Sequence, residues 1–570
     1  MRPIRALPGV AAAALAAILG VLSLGPLPAS AADSGGTRPT SVGANGRIGV
    51  AVIVPITVPR STGGLLTADQ LTKATADGGQ LAQELDQVEG LQAENVPLTL
   101  AVDPRIIASI RVLGTGAPPT ARGWLDRLAS LPNAFPLAYA DADPVLLGQA
   151  GRSDSLAPQD FGFALDPADF GPAVATPSPT PTATPAPGDR PALPQTPQEL
   201  LAWNWRYDDI VWPASGTVVA ADLPRLTAAG YGTVLLDQAN ADGATGRVAL
   251  ATSASASSGP TALVADSDLS AAASAVADAA DFAEAERGIE PLRAAVTAAA
   301  ADAGSAVRVV TLDREADPRA FLQSMSITMS GAGADLVPLS AALNAPAVPA
   351  TILDRPEPAG RISAVVSVLN ALDAEASFAT VAVTPADVTA PRRLTFLALL
   401  GAGWVGDEGW ATRVSTFLRQ SATLRSSVTI TPSSSGLALG TNPQLPVAIR
   451  NQLDVPIRVY AIARPLRGNL VIPADRRRVE VTVQANSAQT GRIPTQSVAN
   501  GKVRVEVSLQ SASGVSIGRP STLSINVQAG WETAGTLIAL VIVLGVFGFG
   551  VTRNILRRRA IRRGDAGASA

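Results

Sequence analysis

The 570-residue chain contains neither cysteine nor histidine. Without thiols it can build no disulfide, thiolate nucleophile or zinc–thiolate site, and without imidazole it lacks the usual neutral-pH base and the commonest metal ligand. Lysine is nearly absent as well. The two present, Lys73 and Lys502, have Gln70 and Ala499 three places upstream, so the Ser-x-x-Lys nucleophile of penicillin-binding enzymes is missing. No glycine-rich loop ends in Gly-Lys-Ser/Thr, which removes the common phosphate cradle. Segment 401–406 (GAGWVG) matches a dinucleotide fingerprint by letters alone, because it follows a helical run and precedes no clear helix with a ribose-binding acid. No cofactor or metal is expected.

The two ends of the chain carry targeting signals. Arg2 and Arg5 precede an apolar stretch over 10–24 and then Ala29-Ser30-Ala31, the order of a secretory signal peptide at 1–31. Residues 32–46 are rich in small polar residues and read as a disordered start. At the other end, residues 533–552 form an uncharged run of 20, long enough for a hydrocarbon core about 30 Å thick. Trp531 sits before it as an interfacial anchor. Arg553, Arg557, Arg558, Arg559, Arg562 and Arg563 follow, so the positive-inside rule predicts one transmembrane helix with a basic cytoplasmic tail over 553–570 and everything before it outside. The tail also suits contact with anionic lipid or a cytoplasmic partner. With signal and tail removed, 36 basic residues face 46 acidic ones, a poor balance for nucleic acid.

Between these ends the hydrophobic period changes twice. Short apolar runs at 48–54, 96–102, 135–140, 210–213, 233–236, 262–265, 309–312 and 335–339 alternate with helical patterns, including a long one from 392 to 425. Strand–helix alternation of this kind predicts an α/β barrel over 47–425 of about seven strands. A Pro/Thr-rich insertion interrupts it at 151–198. From 426 to 530 the period falls to two, with turn residues between short strands, which predicts an immunoglobulin-like β-sandwich beside the membrane.

Several motifs resemble a known family. Segments 96–104 (VPLTLAVDP), 135–144 (FPLAYADADP), 212–236 (WPASGTVVAADLPRLTAAGYGTVLL) and 445–461 (LPVAIRNQLDVPIRVYA), together with the terminal anchor, resemble an uncharacterised domain-of-unknown-function family. The resemblance implies an exported envelope protein of high-GC Gram-positive bacteria, encoded near the lipid II flippase of peptidoglycan synthesis, and no established activity. More distantly, the barrel segments are similar to polysaccharide deacetylases and related carbohydrate-active barrels, where a strand-end Asp and two His hold a metal. Asp103 lies at such a strand end, but a chain without histidine cannot complete that site, so metal-dependent deacetylation is excluded.

The candidate site residues are those a barrel would gather at one mouth. Asp103, Asp141, Asp143, Asp237, Asp266, Asp268 and Asp313 all follow predicted strands, where sugar-binding groups and glycosidic acid pairs sit. Asp at a strand end also caps the next helix, which is the competing reading. Trp203, Trp205, Tyr207 and Trp212 cluster in a chain that has 7 Trp and 4 Tyr, and could stack on sugar rings or simply pack. The leading expectation is a membrane-anchored accessory protein of cell-envelope biogenesis that binds glycan, a peptidoglycan precursor or a protein without catalysis. A glycoside hydrolase using two of the aspartates is the first alternative. A structural scaffold for the lipid II flippase machinery is the second.

Overall fold

A computed structural model of the chain describes residues 47–152, 156–171, 191–251, 260–302, 306–431, 436–439, 442–528 and 531–564. The expected signal peptide, the 32–46 start, residues 172–190 of the Pro/Thr-rich insertion and the last six residues of the tail lie outside these.

The N-terminal part is a mixed α/β fold. Its strands are β1 (Ile48–Ile56), β2 (Thr99–Val102), β3 (Ala134–Pro136), β4 (Ile210–Val211), β5 (Thr233–Leu236), β6 (Gly246–Ala251), β7 (Thr261–Val264), β8 (Val307–Thr311), β9 (Ala334–Leu336) and β10 (Val348–Thr351). The uninterrupted apolar run of β1 follows from burial on both faces, since helices cover one side and a second sheet the other. One sheet has the order β3-β2-β1-β8, with β9 sharing an edge of β1, and all its pairs are parallel. The other runs β10-β6-β7-β5-β4, where only β6 against β7 is antiparallel.

The expected closed barrel does not form as a continuous ladder. The two sheets enclose a shared apolar interior that includes Ile53, Ala101, Phe135, Leu235, Leu263 and Val309. They meet at two seams. A single parallel bridge joins Ala265 to Val309, and the N–H groups of Arg206 and Tyr207 both donate to the Ala134 carbonyl at 3.0 and 3.4 Å. The reason is local: β3 and β4 are only three and two residues long, and Pro136 and Pro213 supply no N–H with which to extend a ladder.

A helical layer lies over one end of the two sheets. The predicted run over 392–425 is two helices, Ala386–Leu399 and Trp410–Arg425, separated by a turn-rich stretch with one short 3-10 helix, Ala402–Trp404. A helix not anticipated from the sequence, Ala359–Ala379, precedes them. It is long and apolar enough to cross a membrane, yet Val365, Val368 and Leu369 bury its inner face against this layer.

The second part is a two-layer β-sandwich. Its strands are β11 (Val428–Thr431), β12 (Gly436–Leu439), β13 (Gln444–Asn451), β14 (Ile457–Pro465), β15 (Leu470–Val471), β16 (Arg478–Val483), β17 (Ala488–Pro494), β18 (Gln496–Ser497), β19 (Gly501–Gln510) and β20 (Ser516–Gln528). The layers are β11-β13-β17 and β12-β20-β19-β14-β16, with β15-β18 a separate ribbon. Val503, Val505, Val507 and Leu509 of β19 alternate inward, as the period of two requires.

The sandwich meets the α/β part at one end. Ala382 bridges Ile457, the Val383 N–H donates to Pro456 and the Arg458 N–H donates to Val381, while Phe378 and Val381 pack into the sandwich core. Asn451 shapes this end. Its buried amide donates to the carbonyls of Val455 and Gln484, both at 2.9 Å, and accepts the Leu453 N–H at 3.0 Å. After β20 the chain forms a 34-residue helix, Trp531–Gly564. Its stretch Gly535–Arg559 is apolar and unburied, long enough to anchor in a membrane.

Asn451→Ala leaves one buried N–H and two partly buried carbonyls without partners, at a cost of about 1–3 kcal/mol. Chemical denaturation should show the loss; a change below about 0.5 kcal/mol would mean that water replaces all three bonds.

Candidate functional site

The residues that gather over the strand ends come from β1, β2, β3, β8 and the helical layer. Asp103 follows β2 and caps the helix Pro104–Val112, since one carboxylate oxygen accepts the Arg105 N–H at 2.8 Å. The same oxygen accepts the Ala140 N–H at 2.8 Å, which ties the end of β2 to the turn after β3. That turn places two successive non-glycine residues, Ala140 and Asp141, at φ of 59° and 52°. Left-handed backbone costs roughly 1–2 kcal/mol per residue, so the Asp103 bond holds a strained segment in place.

Three of the four carboxylates here pair with an arginine. The Asp103 side chain lies 3.2 Å from Arg105 Nε, and Arg105 reaches Ser61 and Gly63 in the loop after β1. Asp141 pairs with Arg314 at 2.9 Å. Arg314 follows β8, donates to the Trp212 carbonyl at 2.6 Å and stacks on the Trp212 ring at 3.7 Å, so one guanidinium joins the ends of β3, β4 and β8. Asp143 caps Pro144–Gln149 through the Val145 N–H at 3.0 Å and donates its own N–H to Leu400. Its second oxygen is buried and has no hydrogen-bond partner among the described residues. Glu357 lies beside it, paired with Arg361 at 3.2 Å.

Burial governs the electrostatics. It raises Asp103 despite the opposing Arg105 charge, and it raises Glu357 despite Arg361. Asp141 is pushed up to about 7 by burial, with Arg314 pulling the other way. Asp143 also reaches about 7, through burial and then the neighbouring Glu357 charge. Desolvation lowers Arg314 and Arg361 in turn.

A segment from the helical layer fills the space above these groups. Ala142 bridges Gly401 in antiparallel register. Trp404 is buried, its indole donates to the Ala398 carbonyl at 2.8 Å, and its own carbonyl accepts from Arg361 at 3.1 Å. The remaining cavity is about 30 Å³, bordered by Asp103, Asp141, Arg314 and Trp404. That is room for about one water molecule, not for a sugar ring.

The structure therefore brings together three of the seven candidate aspartates. Asp237 accepts the Ala239 N–H at 2.7 Å in its own turn. Asp266 caps Ser267–Ala277 through Leu269 at 3.1 Å and lies 3.8 Å from Arg308. Asp268 is exposed in the first turn of that helix, and Asp313 is exposed with its backbone N–H on Ser274 Oγ. Of the aromatic cluster, Trp212 alone reaches the arginine-lined end. Trp203 and Trp205 meet at a tilt of 39° with ring centres 5.8 Å apart and Arg111 over Trp203, and Tyr207 packs against the apolar interior. Among the described residues no group of three acidic side chains is placed to hold a metal. Sequence reasoning missed Arg105, Arg314, Glu357, Arg361 and Trp404. The available signals were the Asp103-Pro104-Arg105 order, Arg314 directly after Asp313, and the break at 401–406.

Comparison with known proteins identifies a family and little more. The model of the family of unknown function DUF6049 matches residues 35–566, so the chain belongs to that family. No curated protein matches. Two solved structures are similar over much of the chain at 10% identity and a TM-score of 0.38. They are the GH57 branching enzyme of Thermococcus kodakaraensis, covering 67% of this chain and 90% of that one, and the GH57-type branching enzyme of Pyrococcus horikoshii, covering 66% and 87%. Escherichia coli alpha-2-macroglobulin is 16% identical over 18% of this chain at a TM-score of 0.15, and the chain spans only 7% of that protein's length.

Asp143→Asn keeps the capping oxygen and removes the charge. In the unfolded chain Asp titrates near 4, so the wild-type fold holds the extra proton between there and about 7. The stabilisation this represents is complete below pH ~4 and is lost as pH rises through about 7. Relative to wild type, the variant should gain of order 2–4 kcal/mol between pH 4 and pH 8 in denaturation series. A stability difference that stays constant over this range would show that Asp143 ionises freely.

Proposed function

We propose that this DUF6049 member is a membrane-anchored, extracytoplasmic accessory protein of cell-envelope biogenesis that acts by binding and not by catalysis. One observation carries the reading. Where an α/β head of this kind could present catalytic acids to a cleft, segment 400–404 fills the space and every carboxylate beneath it is engaged by a cap or an arginine. Glycoside hydrolysis needs two carboxyl groups facing each other across an open cleft, with room for substrate and water. This geometry lends that alternative no support.

The extracytoplasmic placement rests on the signal-like start and the arginine-rich tail, with the unburied stretch Gly535–Arg559 as the span. The envelope role rests on the family resemblance. The partner is a peptidoglycan precursor, a glycan strand or the lipid II flippase machinery. The filled mouth favours an outer face of the head, or a protein partner, over a sugar bound among the strand-end aspartates.

Full-length protein in lipid nanodiscs should release no product from muropeptide or glycan substrates, and Asp141→Asn/Asp143→Asn, at a temperature where circular dichroism shows it still folded despite the lost Arg314 partner, should capture envelope partners as well as wild type does. Measurable glycan cleavage that disappears in the double variant would overturn the proposal.

A further inference from the structure

The two folded parts carry opposite charge. Residues 47–425 hold 24 basic and 40 acidic side chains, whereas residues 426–530 hold 11 basic and four acidic, a balance of −16 against +7. Strand register shows where the positive charge collects. β20 ends at Gln528, three residues before the terminal helix begins at Trp531. The pairs Gly501↔Val527 and Pro465↔Val505 put the start of β19 and the end of β14 beside that point. The loops at 466–477 and 498–500 thus share the helix end of the sandwich, opposite the Ile457 end that meets the α/β part.

Backbone and amide bonds knit these loops into one tip. Leu466 N–H donates to Arg504 at 2.9 Å, Val498 N–H to Asn469 at 2.9 Å, and the Asn469 amide to Asn500 at 3.0 Å. The tip leaves three large apolar side chains in the open: Leu466 at 50%, Val471 at 43% and Val498 at 52%. Exposed Arg464, Arg467, Arg476, Arg477, Lys502 and Arg504 surround them. Arg476 lies 3.5 Å from its neighbour Asp475, and Arg464 sits opposite Glu506 in the ladder. Arg467, Arg477, Lys502 and Arg504 have no acidic partner among the described residues. A groove of about 510 Å³ runs between Arg464, Leu466, Arg467, Val471 and Arg477.

Chain length fixes how far this tip can stand from a bilayer. Three peptide steps lead from Gln528 to Trp531, at most about 10 Å, and two helical residues then rise about 3 Å to Thr533, where the uncharged run starts. The headgroup layer is itself about 5–7 Å deep. We infer that the tip docks on the bilayer from which the terminal helix emerges, with Leu466, Val471 and Val498 in the interface and the unpaired basic residues on anionic lipid headgroups. Apolar insertion combined with basic charge is how interfacial surfaces hold anionic membranes. Docking fixes the sandwich upright, and the nine residues of β14 then set the α/β part about 30 Å from the bilayer.

The inference rests on the membrane-anchor reading of the helix, which vesicle flotation tests separately. Because the chain has no cysteine, Val498→Cys and Ala512→Cys give single labelling sites at the two ends of the sandwich. Full-length protein carrying a polarity-sensitive fluorophore is reconstituted into phosphatidylcholine vesicles or mixed phosphatidylcholine/phosphatidylglycerol vesicles. The label at 498 should become apolar and shielded from a water-soluble quencher in the anionic vesicles, less so at high salt, while the label at 512 stays exposed. Arg467→Glu/Arg477→Glu/Arg504→Glu should shift the docked population by on the order of a hundredfold. Equal quenching at 498 and 512 in anionic vesicles, or shielding at 498 that survives the charge reversal, overturns the inference. Protein that floats with neutral vesicles yet shows no shielding in anionic ones would sink the docking while leaving the anchor intact.

Discussion

Arg314 is the group on which the α/β part depends. Its guanidinium is almost out of water, pairs with Asp141, donates to the Trp212 carbonyl and sits over the Trp212 ring. Those contacts link strand ends from both sheets in a fold whose sheets share an apolar interior but few backbone bonds. A buried charge of this kind is tolerated only while its partner is present, since removing one member of such a pair typically costs 3–5 kcal/mol. The strained Ala140–Asp141 turn and the Asp103 bond that holds it follow from the need to deliver Asp141 to that guanidinium.

The same constraint explains why the mouth is filled. Carboxylates at strand ends are expensive to bury, and burial here has already raised Asp141 and Asp143 to about 7. Segment 400–404 supplies backbone partners and an indole, and Arg361 brings a further positive charge from the helix above. The result is a closed, nearly neutral plug on a scaffold whose topology could have held an acidic cleft. The sandwich serves a different end, gripping Phe378 and Val381 at one pole and leading into the terminal helix at the other. Its basic, apolar-tipped pole therefore lies at the end of the sandwich away from its contact with the acidic α/β part.

Some of this was legible in the residue order. The run at 48–54 reads as a doubly covered strand because only such a strand is apolar at consecutive positions, and β1 is that strand. The period of two after 426 reads as a sandwich for the same kind of reason, and alternating burial along β13 and β19 follows from it. Asp103, Asp143 and Asp266 could be read as caps or as site residues, and the structure shows each accepting an N–H of the helix it precedes. Trp203 and Trp205 could be read as a sugar platform or as packing, and both pack against the apolar core with Arg111 over Trp203.

Local pattern alone determined the strand–helix alternation, the sandwich, the apolar terminal helix and the absence of imidazole and thiol chemistry, because each depends on residue type and short-range period. Only the tertiary structure decided that the strands part into two sheets, that Arg314 meets Asp141 and Arg361 meets Glu357, that 400–404 occupies the mouth, and that six basic residues scattered over 464–504 meet at one pole. The physical reason is that ion pairs, plugs and charged poles are set by distance in space, between groups such as Asp141 and Arg314 that lie far apart in the chain, and no period in the sequence records that distance.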